Sequence, residues 1–248
     1  MKTFGLVGYP LKHSFSYRFF GEKFEKEKID AQYLNFEIAD IGRLPDIIKE
    51  YTKLQGLNVT IPYKEQVIPF LDELDPIAEA IGAVNVIKIT RKGDKILLKG
   101  FNSDYIGFKN SIEPLINPEI HRKALILGTG GASKAVEYGL KALGLETSHV
   151  SRTRKEGVIT YGELSEDMMN EYTVIVNASP VGTFPNVDEC PDIPYQYIGN
   201  KHMLYDVVYN PPVTKFLEQG KKQGAKIKNG ETMLELQAIA AWNIWNDL

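Results

Sequence analysis

Residues 123–144 read KALILGTGGASKAVEYGLKALG, an apolar run, a glycine cluster and a helix-like segment in that order. A short strand that turns at once into a helix belongs to a parallel sheet, because parallel neighbours need a crossover between them. Gly128 and Gly130 stand at the first two positions of a G-x-G-x-x-G spacing, with Ser133 at the third. Glycine at 128 allows the tight turn, and at 130 it lets the backbone approach a pyrophosphate at the helix N-terminus. A small Ser133 still permits close helix packing. The same residues could build a purely structural turn, but the strand before and the helix after favour a dinucleotide site.

The next strand-like stretch discriminates between dinucleotides. A ribose 2′-hydroxyl would be held by an acidic residue roughly 20 positions on. Here the segment ends SHVSRTRKE, with Ser151 followed by Arg152, Arg154 and Lys155. Cations suit a 2′-phosphate, and arginine can grip one with two parallel bonds. A solvated basic loop is the plain alternative; the position after the second strand favours NADP. Further on, TVIVNASPVG carries a polar strand end, Asn177-Ala178-Ser179, where an open parallel sheet meets its ligand.

Strand-like and helix-like segments alternate almost throughout, which reads as α/β with parallel sheets. In the first half the expected strands are 3–8, 32–38, LNVTI, AVNVIKIT and KILLKGF, the last two joined by the turn RKGD as a hairpin. Helices are expected from about Ser16 to Lys28, over LPDIIKEYTK, KEQVIPFLDEL and PIAEAIG. A second alternation starts at 123, with strands ETSHVS, TVIVNAS and HMLYDVV, and helices over 131–143 and TKFLEQGKKQG. The apolar ETMLELQAIAAWNIW must bury against a partner. Two α/β domains are expected: 1–103 with 230–248 for substrate, and 104–229 as a Rossmann-like cofactor domain.

Among 248 residues 43% are hydrophobic and 25% charged, an ordinary globular balance. The net charge of −3 argues against a nucleic-acid binder. No apolar run is long enough to span a bilayer, and the expectation is a cytoplasmic protein. The single Cys190 excludes a disulfide within the chain and reads as an incidental surface thiol. His13, His121, His149 and His202 lack metal-ligand spacing, so no metal is expected.

In the first half, polar residues interrupt apolar elements. In GLNVTIPYK, Leu57, Val59 and Ile61 should face one way and Asn58 and Thr60 the other, before Pro62 ends the strand and Lys64 marks the corner. Ser14 and Ser16 precede or open a helix; Ser16 reads as an N-cap, and the pair also suits a carboxylate. Asn85 breaks an apolar strand, and Asp104 stands at a helix start. Each has a bland account, as strand-edge amide or capping acid. Together they form the pattern of a polyol site, where buried hydroxyls need donors and acceptors on both sides.

Ordered motifs from end to end carry a resemblance. GYPLKHSFS, GLNVTIPYK, GAVN, GFNSD, GTGGAS, SRT, NASPVG, DVVYNP and NGETMLELQA are similar to the motifs of the shikimate dehydrogenase family. The resemblance implies reversible NADPH-dependent reduction of 3-dehydroshikimate to shikimate. It matches Lys64 and Asp104 to the catalytic pair, and Ser14, Ser16, Thr60, Asn85, Tyr209 and Gln237 to substrate contacts. It adds Gly131, Ala132, Thr153 and Met233 to the cofactor set of Gly128, Gly130, Ser133, Ser151, Arg152, Asn177 and Ser179. Tyr17 departs from the family's proline, Ser103 from threonine, Ser151 from asparagine, and Thr129 and Ser179 from alanine and threonine. The partners implied are small molecules, with a monomer or homodimer as the assembly. Alternatives are an NAD-dependent quinate/shikimate dehydrogenase, a methylenetetrahydrofolate dehydrogenase, or a non-catalytic shikimate or NADP sensor.

Overall fold

The computed structural model describes residues 1–11 and 14–248. The chain divides into two compact units, Met1–Ser103 with Ala238–Leu248, and Asp104–Gln237.

The first unit is built on six strands: β1 (Lys2–Gly8), β2 (Ala31–Glu37), β3 (Leu54–Val59), β4 (Glu73–Leu74), β5 (Val86–Lys92) and β6 (Lys95–Phe101). Their order is β2-β1-β3-β5-β6-β4. β1 runs parallel to β2 and β3, whereas β3–β5 and β5–β6 are antiparallel, so this sheet is mixed rather than parallel throughout. The expected hairpin is present, with Lys92 facing Lys95 across a turn in which Gly93 has φ 59°. Side chains of β1 alternate between two cores. Val7 joins Leu44, Ile47, Leu57 and Val59, on the side of α2 (Leu44–Glu50). Phe4 and Leu6 join Phe20 and Phe24 of α1 (Phe15–Lys26), with Ala238, Ala241 and Trp245 of the final helix. α3 (Pro76–Ile81) opens on an Asp75 cap and ends at Gly82, in the left-handed region at φ 68°.

The second unit contains β7 (Lys123–Leu127), β8 (Glu146–Ser151), β9 (Ile159–Thr160), β10 (Val174–Asn177), β11 (Met203–Asp206) and β12 (Lys226–Lys228). Every pairing is parallel, and the order is β12-β11-β10-β7-β8-β9. Counted within this unit the order is 3-2-1-4-5-6, with its reversal between β7 and β10. Its helices are α4 (Asp104–Ile112), α5 (Gly131–Ala142), α6 (Glu166–Glu171) and α7 (Lys215–Lys222). α8 (Glu231–Asn246) begins in this unit, where Met233 packs with Phe108 and Tyr205, and its last turns belong to the first.

Some expectations fail. KEQVIPFLDEL is a chain of turns, a short 3-10 segment at Ile68–Phe70 and then β4, not a helix. Pro69 supplies no N–H, and Asp72 N–H already donates to Leu98 O at 2.9 Å, which draws the chain into the sheet. Ile61 does not continue the buried face of Leu57 and Val59: β3 ends at Val59 and Ile61 is 70% exposed. α6 was not expected, although Ser165 before two acidic residues is an N-terminal signal. Cys190 is half-buried against a core cluster, not a surface thiol. His13 lies outside the described residues.

Candidate functional site

In the first unit, the end of β3 forms a corner fixed by backbone bonds. Thr60 N–H donates to Val7 O at 2.9 Å, and Tyr63 N–H donates to Thr60 O at 2.9 Å. Lys64 is half-buried, and its carbonyl accepts Val84 N–H at 2.7 Å, immediately before Asn85. Asn85 lies just ahead of β5, not within a strand, and its carbonyl accepts Val59 N–H at 2.8 Å. Its amide Oδ1 accepts Ser103 N–H at 2.6 Å, and its Nδ2 donates to Ser103 Oγ at 3.0 Å. Asp104 follows directly, buried at the first position of α4.

Asn58 points into the protein: Tyr33 Oη donates to its Oδ1 at 2.8 Å, and its Nδ2 reaches Asn85 O at 3.4 Å. Burial drives the Tyr33 hydroxyl well above its usual range, opposed by a hydrogen bond with Ser16. Ser16 is therefore not the helix cap. Ser14 is, accepting Tyr17 N–H at 3.0 Å. A proline at position 17 has no N–H and could not make this cap. The corner thus gathers Asn58, Thr60, Lys64, Asn85 and Ser103 at the ends of β3, β5 and β6, and Ser16 reaches Asn58 through Tyr33.

In the second unit the glycine turn sits at the order reversal. Gly128 adopts φ 127°, and a β-carbon there would stand 3.2 Å from Ala178 O, so both conformation and space demand glycine. A β-carbon on Gly130 would meet nothing, which leaves open space beside the first turn of α5, where Gly131 and Ala132 lie. Ser133 is fully buried and its hydroxyl closes the turn on Gly130 O at 2.6 Å.

Beyond β8, Ser151 Oγ accepts Thr153 N–H at 3.3 Å, and Arg152 is exposed. Arg154 pairs with Glu163 at 3.3 Å, and Lys155 Nζ donates to Thr129 Oγ1 at 3.3 Å. Asn177 is fully buried. Its Nδ2 donates to Asp206 Oδ1 at 3.0 Å and Val181 O at 3.2 Å. Its Oδ1 accepts Ser179 N–H at 3.2 Å and Ser179 Oγ–H at 2.7 Å. All four bonding positions of the amide are therefore occupied in shaping the 177–182 turn.

Asp206 opens the DVVYNP segment at the end of β11. It is fully buried and accepts Thr214 Oγ–H at 2.5 Å and Val208 N–H at 3.0 Å as well as the Asn177 amide. Burial raises its carboxyl to about 6, against the lowering effect of these three donors. Tyr209 is exposed, while Met233 and Gln237 are buried in the first turns of α8. Gly107 makes room for them, since a β-carbon there would stand 2.5 Å from Met233 O. Among the described residues no cluster of three or more His, Cys, Asp or Glu is placed to hold a metal, and no helix is long and apolar enough to cross a membrane.

A parallel unit with a glycine turn at its switch point, joined to a mixed-sheet unit with polar strand ends, defines an α/β protein of the two-domain dehydrogenase class. Residues 6–87 match the profile of the shikimate dehydrogenase substrate binding domain, and the NADP(+) shikimate dehydrogenases of Caldicellulosiruptor saccharolyticus and Methanococcus maripaludis are each 35% identical, over 100% of this chain and 93% and 92% of theirs. The chain belongs to the shikimate dehydrogenase family. Solved relatives share its fold over the whole chain. The Aquifex aeolicus shikimate dehydrogenase is 34% identical with TM-score 0.86, covering 93% of that chain. The Thermus thermophilus enzyme, solved with NADP(H) and shikimate, is 30% identical with TM-score 0.86, covering 94%.

Proposed function

We propose that this chain interconverts shikimate and 3-dehydroshikimate with NADP. Its full-length likeness to enzymes named NADP(+) shikimate dehydrogenases carries the reading. The residues present fit the cofactor: the turn at Gly128, the open space at Gly130 and the cations after β8 offer a pyrophosphate cradle and a partner for a 2′-phosphate. When bound, NADP supplies the hydride acceptor.

The chain's own residues supply the rest. Oxidising a secondary alcohol requires a group that takes the hydroxyl proton as hydride leaves the carbon, and the same group returns it in reverse. In this reading Lys64 Nζ is that group, and Asp104 orients it and bonds the same or the adjacent hydroxyl. Ser14 and Ser16 hold the carboxylate, with Thr60, Asn85, Tyr209 and Gln237 on the remaining polar atoms. Gly128, Gly130, Gly131, Ala132, Ser133, Ser151, Arg152, Thr153, Asn177, Ser179 and Met233 form the cofactor side, some by direct contact and some by shaping the backbone. The domain assignment follows, residues 1–103 with 230–248 for substrate and 104–229 for cofactor. A cytoplasmic monomer or homodimer belongs to the same reading.

The test is near-ultraviolet absorbance of purified protein with shikimate, run separately with NADP and NAD and repeated with quinate. Rapid reduction of NADP by shikimate is expected. Turnover with NAD and quinate alone would replace this reading by the quinate-type enzyme. Shikimate binding without turnover would replace it by a sensor.

A further inference from the structure

The three described histidines differ in what surrounds their ring nitrogens. His121 accepts Asn117 N–H at Nδ1 (2.9 Å) and faces Lys201 O with Nε2 (3.2 Å). His202 accepts Gly199 N–H at Nδ1 (3.0 Å) and faces Met169 O with Nε2 (2.9 Å). Each has one donor and one acceptor around it, which a neutral imidazole satisfies. His149 has acceptors on both sides: Gly128 O lies 2.9 Å from Nδ1, and Glu137 Oε2 lies 3.2 Å from Nε2. A neutral ring would set a lone pair against an oxygen at one of them. Only the doubly protonated ring donates to both.

Glu137 is itself held in place. Glu137 of α5 is also bonded by Lys141 Nζ at 2.7 Å and by Thr147 Oγ1 at 3.4 Å. Despite partial burial, which would raise it, its carboxyl is held below the usual range by Lys141 and His149, so it stands opposite the ring as a carboxylate. At the same turn the Lys155 ammonium reaches Thr129. On the β7 side His149 pairs with Ile126, which is apolar.

The contact fixes a direction. The Gly128 carbonyl and the Thr129 N–H share one rigid peptide plane and point opposite ways. Holding the carbonyl toward His149 turns the Thr129 N–H away from it, within the turn that cradles a pyrophosphate in the proposed function. The geometry assigns His149 as a positioning residue: its ring ties the Gly128–Thr129 peptide to Glu137 of α5 and so sets the turn for NADP. This assignment rests on the reading of the glycine turn as the NADP site.

The test measures NADP dissociation constants and the Thr129 amide NMR shift of the cofactor-free protein for the wild type, His149→Leu, His149→Gln and Glu137→Gln, with urea unfolding as the check on folding. His149→Leu is expected to weaken NADP binding roughly tenfold, the scale of one lost hydrogen bond, and to shift the Thr129 amide while kcat stays nearly unchanged. Glu137→Gln should act in the same direction by less, and His149→Gln, which keeps a donor, should recover part of the loss. Unchanged NADP affinity and an unshifted Thr129 amide in folded His149→Leu overturn the assignment. NADP failing to bind the wild type, with the Thr129 amide still shifted in His149→Leu, removes the proposed function while leaving the positioning contact as inferred.

Discussion

Asn85 accepts the Ser103 N–H at 2.6 Å and donates to the Ser103 hydroxyl at 3.0 Å, so one buried amide holds both polar groups of the residue that precedes Asp104. Asn85→Ala leaves both without that partner in a buried setting. The expected cost is about 1–3 kcal/mol, read as a lowered urea midpoint with unchanged slope. kcat/KM for shikimate should fall by more than global unfolding explains, because the lead into α4 loosens. Full activity in the folded fraction would show that Asn85 serves stability alone.

Lys64 tests the proton-transfer assignment. Its backbone is held by Val84 N–H at 2.7 Å whatever the side chain, so truncation should leave the corner folded. Lys64→Ala is expected to lower kcat by roughly 10²–10⁴, the usual contribution of a positioned acid or base. NADP affinity should not change. Lys64→Arg keeps the charge but gives up no proton, so it should be as inactive as alanine. Recovery of turnover in the arginine variant would mean that the charge, not the proton, is what matters.

The elements that were legible in the sequence are those whose signal is local. β7, the glycine turn and α5 lie within residues 123–142 and need no distant residue, and strand alternation alone turns Asn58 away from Leu57 and Val59. What failed depended on distant partners. Nothing near KEQVIPFLDEL announces that Leu98 will claim Asp72 for the sheet. The choice of Ser14 over Ser16 as cap turns on Tyr33, seventeen positions beyond Ser16, which takes the second hydroxyl. Asp206 and His149 are invisible in the sequence as site-shaping residues because their side chains meet partners from other segments, Asn177 and Thr214 for the first and Gly128 and Glu137 for the second.

Asp206 makes a pH prediction with a definite sign. Its carboxyl is raised from 3.8 in the unfolded chain to about 6 in the folded protein, so between these values the native state binds the extra proton. Stability contributed by this group is fully present below the unfolded value and is lost as pH rises through about 6. The span corresponds to about 3 kcal/mol at most. The stability difference between wild type and Asp206→Asn, measured by urea unfolding, should shift in favour of the wild type as pH falls from 7.5 to 4.5. A difference independent of pH would show that the carboxyl does not titrate there.

Arg152 and Arg154 are two residues apart but should not contribute equally to cofactor choice. Arg154 already pairs with Glu163 at 3.3 Å, an exposed bridge of at most about 1 kcal/mol that nonetheless engages the guanidinium. Arg152 follows Ser151 at the end of β8, where the second strand of such a unit delivers the residue that reads the ribose. Arg152→Ala is expected to raise KM for NADP by about tenfold or more, the scale of a lost charge-assisted bond, while leaving KM for NAD nearly unchanged. Arg154→Ala should change either value little. Added salt should weaken NADP binding in the wild type more than in Arg152→Ala, since the lost contact is the one that salt screens. Equal losses for NADP and NAD in Arg152→Ala would mean that this residue supports the loop and that the 2′-phosphate is read elsewhere, with Lys155, at the glycine turn through Thr129, next to be tested.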